Sequence, residues 1–335
     1  MQGTRIPASA TREFRVTFAE RASRGGRRMA VVSLAAAAGV LLGTASLVPA
    51  VATTAPSMVE GAAGPNIAVQ GPHNSLRFFW ALDGVFRWHP ETVARAGAAF
   101  SAPSIAATST AVNIAVQGPG HSLRFYWKFA KTATWHAETV ARTGAAFSAP
   151  SIAETSTGVN IVLQGPGHSL RFYWAFNNTT TWHAERVART GAAFSAPSIL
   201  ENTGGPNIAV QGPHNSLSFY WAFNNTTTWH AETVARAGMA FSAPSITSGA
   251  VRGSVAISVT GARGSLKLYA ASGGTSTWHA AAIAGAGAAI SAPSLVSSLA
   301  SADICVVGPR DSLKFYFSTR NRWSVEQVAP PGSVQ

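Results

Sequence analysis

The feature that most constrains this chain is a repeat of about 47 residues. A tryptophan recurs with a spacing of 47 residues over three steps and then of 49 and 45, at Trp88, Trp135, Trp182, Trp229, Trp278 and Trp323. Proline–serine pairs keep the same period and begin at Pro56, Pro103, Pro150, Pro197, Pro244 and Pro293. Six such units fill residues 53–335, so we expect a single repeat domain there rather than two unrelated domains.

Each unit contains four short strand-like runs. In residues 149–195 they read PSIA, NIVLQ, SLRFYWAF and TWHAERVA, separated by glycine, proline and asparagine. Runs of this length, rich in aliphatic and aromatic residues and bounded by turn residues, are typical of β-strands. Four strands in about 45 residues are typical of one propeller blade. The sequence therefore predicts an all-β, six-bladed β-propeller of four-stranded antiparallel blades. The alternatives are a seven-bladed-like ring and a β-solenoid, whose end units would carry polar caps.

Alternation along the third strand supports a blade packed on both faces. Leu170, Phe172 and Trp174 point to one face, and Arg171 and Tyr173 point to the other. Burial of both faces explains why 47% of residues are hydrophobic and only 11% are charged. Small residues in the first strand favour its placement nearest the axis.

The first 52 residues have the pattern of a secretory signal peptide. Residues 1–28 contain seven arginines, residues 29–52 contain no charge, and Ala50-Val51-Ala52 fits a cleavage site. We expect removal of residues 1–52 and a secreted protein with no membrane attachment. An uncleaved membrane anchor is the alternative for this segment, and Met29 is an alternative start.

Charge and cysteine content exclude several classes. The net charge of +12 falls to +7 after residue 52, with no run of lysine or arginine, so we expect no nucleic-acid partner. One cysteine, Cys305, excludes a disulfide framework and a CxxC metal site. The histidines do not form HxxxH or HExxH motifs. We therefore predict no metal and no cofactor.

Near-identical blades favour repeated binding over catalysis. Catalysis needs an asymmetric cluster, whereas here the WHxE motif places one acid in each of four blades, at Glu91, Glu138, Glu185 and Glu232. Equivalent positions in adjacent blades lie too far apart for a glycosidase carboxylate pair. Several copies of one weak site give avidity without new contacts, and the glycans of surfaces are repeated ligands. We predict a non-catalytic protein.

The third-strand tryptophans differ from those of the fourth strand. The fourth-strand tryptophan occurs in every unit and is predicted to be scaffold, whereas the third-strand position becomes Ala270 and Phe317 in the last two units. Histidines before the third strand are lost in the same two units. The candidate sugar-binding residues are therefore Trp80, Trp127, Trp174 and Trp221, the turn histidines His73, His121, His168 and His214, and the nearby Arg77, Arg124 and Arg171. The alternative is that the tryptophans pack in the core and that the last two units drifted.

The pattern SAPSI…NIAVQGPxxSLRFYW…W resembles repeats of the PVL/PLL-type β-propeller lectins of bacteria and fungi, and similar repeats are typical of secreted actinobacterial proteins. The resemblance covers residues 55–329 and implies a propeller with sugar pockets between blades and glycan partners of the fucose or N-acetylglucosamine type. Two departures from the family are the count of six blades, where relatives often have seven, and the RFYW third strand. The resemblance therefore does not carry over the identity of the sugar.

These observations predict a secreted, multivalent carbohydrate-binding protein with equivalent sites between blades. Two other classes remain open at this point. An extracellular protein-interaction scaffold would bind a partner without competition from sugar. A propeller glycoside hydrolase would need an acid pair near the axis, where the first strands offer Glu60, Glu154 and Glu201.

Overall fold

The repeat forms six four-stranded sheets arranged in a ring. The computed structural model describes residues 55–333, apart from 85–86, 131, 178, 225, 250–253, 273–276, 299–300 and 320–321. Within each sheet the strands follow chain order and pair antiparallel with their neighbours. The prediction of a six-bladed propeller is confirmed.

The strand bounds repeat from blade to blade. Blade one contains β1 (Ser57–Gly61), β2 (Gly64–Gly71), β3 (Ser75–Trp80) and β4 (His89–Ala94). Blade two contains β5 (Ser104–Ala107), β6 (Ala111–Gly118), β7 (Ser122–Phe129) and β8 (His136–Ala141). Blade three contains β9 (Ser151–Glu154), β10 (Gly158–Gly165), β11 (Ser169–Phe176) and β12 (His183–Ala188).

The other three blades have the same plan. Blade four contains β13 (Ser198–Asn202), β14 (Gly205–Gln211), β15 (Leu217–Trp221) and β16 (His230–Ala235). Blade five contains β17 (Ser245–Ser248), β18 (Val255–Thr260), β19 (Leu266–Ala271) and β20 (Trp278–Ala284). Blade six contains β21 (Ser294–Ser298), β22 (Ser301–Gly308), β23 (Ser312–Thr319) and β24 (Arg322–Ala329). A short 3-10 turn joins the second and third strands of each blade, at Pro72–Asn74, Pro119–His121, Pro166–His168, Pro213–Asn215, Ala262–Gly264 and Pro309–Asp311.

Each blade buries both faces, as the alternation predicts. In blade three, Leu170 and Phe172 lie in the apolar cluster shared with blade four. Tyr173 lies in the cluster shared with blade two. The core is therefore a series of layers between blades, because successive residues of one strand enter different layers.

The first strands surround the axis and are joined by a repeated hydrogen bond. First strands of successive blades contact one another from β1 to β21. In five of the six proline–serine pairs, the serine accepts the backbone N–H of the first-strand residue in the next blade, as between Ser151 Oγ and Ile199 N at 3.2 Å. The same bond occurs at four other junctions, from Ser57, Ser104, Ser198 and Ser245. The serine thus fixes the stagger between neighbouring blades.

Blade six lies beside blade one, where the two ends of the ring meet. Every described sheet is built from four consecutive strands, so no strand is exchanged between these two blades. A cavity of about 220 Å³ lies at this junction, lined on one side by Met58 and on the other by residues that include Leu295, Cys305 and Phe315. Trp88, the fourth-strand tryptophan of blade one, is 44% exposed. Each of the other five junctions has a cluster of buried apolar residues from both blades, and among the described residues this junction has none, so closure is looser here.

The predicted signal peptide, residues 1–52, lies outside the described residues. In the part of the chain that the structure describes, no helix has the length and apolar character needed to cross a membrane.

Candidate functional site

A glutamate at the junction of two blades holds two tryptophans from different blades. Glu91 accepts the indole N–H of Trp80, in its own blade, on Oε1 at 2.8 Å. On Oε2 it accepts the indole N–H of Trp135, from blade two, also at 2.8 Å. The third-strand and fourth-strand tryptophans therefore meet on one carboxylate.

The same arrangement recurs at three further junctions. In each, the third-strand indole donates to Oε1 and the next blade's fourth-strand indole donates to Oε2. The residues are Trp127, Glu138 and Trp182 between blades two and three, Trp174, Glu185 and Trp229 between three and four, and Trp221, Glu232 and Trp278 between four and five.

A phenylalanine completes each group. Phe78 packs edge to face against Trp135, with 5.1 Å between ring centroids and 72° between planes. Phe125–Trp182, Phe172–Trp229 and Phe219–Trp278 repeat this contact at 5.0, 5.1 and 5.1 Å. We call each set of glutamate, two tryptophans and phenylalanine an indole–carboxylate cluster. Edge-to-face contact is a favoured geometry of aromatic pairs, so the rings hold the carboxylate in place.

The third-strand tryptophan of each cluster also belongs to an aromatic group that reaches solvent. The histidine of WHxE stacks on it, as His183 does on Trp174 with 4.0 Å between centroids. Phe176 meets the same indole edge on at 5.1 Å and is 51% exposed. Trp174 itself is half-buried. Exposed aromatic rings can stack on the C–H groups of a ligand, and the carboxylate beside them can accept hydrogen bonds from its hydroxyl groups.

Blades five and six do not complete the pattern. Blade five holds Ala270 and Ala281 where the other blades have the third-strand tryptophan and the glutamate, so the junction of blades five and six has no cluster carboxylate. Blade six keeps Glu326 in register, but Phe317 replaces the tryptophan and Glu326 is exposed. Four complete clusters therefore lie at four successive junctions.

The cluster between blades one and two is occupied by a side chain of the protein. Lys128 of blade two places Nζ at 2.9 and 2.8 Å from the two oxygens of Glu91. Blades one, three, four and five have alanine at the equivalent position. The first cluster therefore differs from the other three in being filled.

The turn histidines lie at the opposite end of the blade from the third-strand tryptophans. His121 ends the turn before β7, and Trp127 is the sixth residue of that strand, about 20 Å further along at 3.3 Å per residue. The structure therefore does not bring the predicted tryptophan and histidine sets into one pocket.

The four turn histidines are also not equivalent to one another. His73 and His214 occupy the left-handed position, with φ of 54°, that Gly120 and Gly167 occupy in the other turns. His121 and His168 instead match Asn74 and Asn215. Gln117 Nε2 lies 2.7 Å from His121 Nδ1, as Gln70 Nε2 lies 2.9 Å from Asn74 Oδ1.

These turns serve the scaffold through the glutamine. Gln117 Nε2 also donates to the carbonyl of Ala146 at 2.6 Å, in the connector that leads to the next blade. His121 stacks on the exposed Phe147 with 4.7 Å between centroids. The glutamine and its turn partner thus fasten the connector to the blade.

The third-strand arginines also lie toward the turn end. The Arg124 side chain passes over Gly118, where an added Cβ would come within 2.4 Å of Arg124 Cγ. The guanidinium donates to the Thr139 hydroxyl on β8. Arg77 and Arg171 cover Gly71 and Gly165 in the same way. The arginines therefore pair with the turn glycine and do not join the tryptophans.

Two half-buried carboxyls lie near the axis at the tryptophan end. The Asn113 amide donates to Glu154 of the next blade, and the Asn160 amide donates to Glu201 Oε1 at 2.5 Å. Burial raises the pKa of Glu154 and raises the pKa of Glu201 to about 7, and the asparagine bonds oppose the shifts. Among the described residues, no group of three histidine, cysteine or acidic side chains is placed to hold a metal ion.

Comparison with known proteins supplies the fold family. No protein-family model matches the sequence, and no curated protein sequence matches it. Among solved structures, the BP39L lectin of Burkholderia pseudomallei is similar with a TM-score of 0.73 and 14% identity, over 83% of this chain and 86% of that chain. The chain has the fold of the six-bladed propeller lectins. AofleA of Arthrobotrys oligospora is similar with a TM-score of 0.61 and 12% identity, over 83% and 87%. The Aleuria aurantia lectin is similar with a TM-score of 0.56 and 15% identity, over 84% and 96%.

Within this lectin fold, sequence reasoning missed the glutamate as a member of the site. The sequence suggests the acids only as a catalytic pair, and it predicts the fourth-strand tryptophans to be scaffold. A signal was present, because blade five loses the third-strand tryptophan and the WHxE glutamate together. Paired loss of an indole and a carboxylate indicates contact between them.

Proposed function

We propose that the protein is a non-catalytic lectin whose sugar sites lie at the indole–carboxylate clusters. The observation that carries this proposal is the repetition, at successive junctions, of a half-buried glutamate beside indole and exposed phenyl rings. Carboxylate oxygens accept hydroxyl hydrogens, and aromatic faces cover the C–H groups of a sugar. Repetition on one rigid ring suits a multivalent ligand.

The fold family supports a glycan ligand. Aleuria aurantia lectin has been solved with α-methyl-L-fucoside and with Fucα1-6GlcNAc, and SapL1 with α-methyl fucoside. We propose fucose-type or N-acetylglucosamine-type glycans as the first ligands to test. The charge-free segment 29–52, behind an arginine-rich start, supports the further proposal that the protein is exported.

A glycan array of the full chain tests this proposal. We expect binding to a subset of glycans, and we expect Trp127→Ala/Trp174→Ala to weaken it at least about tenfold, because two sites are lost and avidity falls. His121→Ala/His168→Ala, at the other end of the same blades, is the matched control and should bind normally. Circular dichroism establishes that both variants are folded. Absence of glycan binding by the parent chain, or full binding by the folded tryptophan variant, would refute the proposal.

A second candidate function is an extracellular protein-binding scaffold. An apolar side chain is exposed after the fourth strand of five blades, and the set comprises Phe100, Phe147, Phe194, Phe241 and Ile290. Repeated exposed apolar groups on one end of a molecule suit a protein partner. A partner bound by the turn end would resist competition from free sugar and would be lost in Phe147→Ser/Phe194→Ser.

A further inference from the structure

The first indole–carboxylate cluster shows which chemical group these clusters accommodate. The Lys128 ammonium lies 2.9 and 2.8 Å from the two Glu91 oxygens. It also lies 4.7 Å from the ring centroid of Phe78 and 5.2 Å from that of Trp135. The lysine side chain is only 6% exposed. A buried cation needs a paired anion, and aromatic faces add a favourable interaction.

The other three clusters preserve this geometry without the lysine. Their phenylalanine–tryptophan pairs have centroid distances of 5.0–5.1 Å and interplanar angles of 67–71°, against 5.1 Å and 72° in the first cluster. Their fourth-strand indoles donate to the carboxylate at 2.8, 2.9 and 3.0 Å. The carboxylate, the phenylalanine and the fourth-strand indole therefore keep their positions whether or not a lysine is present, while the third-strand indole lies 3.1–3.3 Å from the carboxylate instead of 2.8 Å.

The position of Lys128 is alanine in all three, as Ala175, Ala222 and Ala271. The phenylalanine of each cluster is slightly more exposed than Phe78, at 6%, 5% and 6% against 1%. The rings have therefore not moved to cover what the lysine covers in the first cluster. Glu138, Glu185 and Glu232 are half-buried, so solvent reaches part of each side chain.

We propose that the three clusters with alanine bind the primary ammonium group of an external ligand, and that Lys128 closes the first cluster to such ligands. A primary ammonium can donate to both carboxylate oxygens while its remaining surface faces the rings. A quaternary ammonium has no hydrogen to donate, and an N-acetylated amine has no charge. The ligand class is therefore a primary alkylammonium, and an amino sugar with a free amine is one member of it.

Indole N–H resonances of the full-length ¹⁵N-labelled chain test this site by site. The probes are n-butylammonium, which reproduces the lysine side chain, and glucosamine, which carries the amine on a sugar. We expect saturable shifts of the Trp182, Trp229 and Trp278 indoles and none of the Trp135 indole. Tetramethylammonium and N-acetylglucosamine should bind at least roughly tenfold more weakly, because each lacks part of the charge-assisted contact.

Two single substitutions exchange the state of two clusters. Lys128→Ala should make the Trp135 indole respond, and Ala175→Lys should abolish the response of Trp182 while Trp229 and Trp278 continue to respond. Alanine already occupies the lysine position in other blades, so Lys128→Ala is expected to fold, and circular dichroism checks both variants.

The outcomes separate this site from general sugar binding. Shifts with n-butylammonium alone support the ammonium site and argue against an amino sugar as the ligand. Equal shifts with glucosamine and N-acetylglucosamine, without n-butylammonium binding, overturn the ammonium site and leave the lectin proposal intact. No saturable shift with either amine, or an unchanged Trp182 response in Ala175→Lys, also overturns it.

Discussion

At the scale of single residues, the glutamate of WHxE determines how neighbouring blades meet on their outer side. Glu185 accepts one indole N–H from Trp174 and another from Trp229, at 3.3 and 2.9 Å. Both donors are half-buried, so loss of the acceptor leaves two N–H groups with limited access to water. The glutamate therefore links neighbouring blades in addition to being a candidate binding group.

Glu185→Ala should lower the free energy of unfolding by about 1–3 kcal/mol, because two indole donors lose their acceptor. Urea denaturation followed by tryptophan fluorescence measures this change. Glu326→Ala is the matched control in blade six, where the equivalent carboxylate is exposed, and we expect a change within about 0.5 kcal/mol. Equal effects of the two substitutions would show that the indole bonds contribute nothing.

The residue scale is also where sequence reasoning was least complete. The sequence predicts the third-strand tryptophans as site residues, and the structure places them beside the cluster carboxylate. The sequence pattern groups the turn histidines as one set, although the step from His73 to His121 is 48 residues and that from His168 to His214 is 46. The PHN and PGH turns have the same backbone conformation, but histidine is the second residue of the first and the third residue of the second. Because only the third residue faces the glutamine, spacing alone does not reveal which side chain makes that contact.

At the scale of elements, alternation and turn residues predicted most of the fold. The predicted third strand SLRFYWAF coincides with β11, because a run rich in apolar and aromatic residues lies between two turn signals. The fourth strand of blades one to four begins at the histidine rather than before the tryptophan, since that indole turns away to the neighbouring blade. Each fourth strand also carries an irregularity beside the leucine of the third strand, as at Leu170–Arg171, which no residue pattern signals.

The hydrogen bonds of the first-strand serines should contribute measurably to the free energy of unfolding. Ser151→Ala removes the bond to Ile199 N and should cost about 1 kcal/mol of unfolding free energy, the usual net value of one hydrogen bond. Chemical denaturation again measures the change. Ser294→Ala, in the first strand of blade six beside the looser junction, serves as a comparison, because Ser294 is exposed. A larger loss for Ser294→Ala would contradict the assigned role of the serine bond.

Glu201, in the first strand of blade four, should make the stability of the protein depend on pH. The folded-state pKa of Glu201 is raised to about 7 from 4.5, so the native protein retains a proton there that the unfolded chain has lost. Stability contributed by this group is present below pH 4.5 and falls as the pH rises to about 7, at a limiting slope on the order of 1 kcal/mol per pH unit. Glu201→Gln removes the ionisation and should flatten the dependence. Melting temperatures of parent and variant between pH 4.5 and 8 test this, and an identical pH profile would contradict it.

At the scale of the whole molecule, ring closure without strand exchange concentrates weakness at one junction. Blade six meets blade one across a cavity lined by Met58 and Cys305, and burial raises the pKa of the Cys305 thiol. The raised pKa slows attack on this half-buried thiol in the closed ring, because the thiolate is the reactive form. Opening of this junction would expose it without unfolding the other blades.

Labelling of Cys305 by a disulfide reagent should therefore proceed through a partial opening. We expect its rate to depend less steeply on urea than global unfolding does, because opening one junction exposes a fraction of the buried surface. Cys305 is the single cysteine of the chain, so the signal is unambiguous. Tryptophan fluorescence in the same urea series reports global unfolding. Equal urea dependence of labelling and unfolding would show that this junction opens only with the whole ring.

The number of complete clusters depends on the order of the repeat units along the chain. Each cluster takes its glutamate, one tryptophan and its phenylalanine from one blade, and its second tryptophan and the lysine-or-alanine position from the next. A repeat unit therefore encodes two half-sites. Whether a junction forms a complete cluster depends on which unit follows which in the gene. Shuffling the same six units into another order would change the valency of the protein while leaving its composition, its fold and every individual blade unaltered.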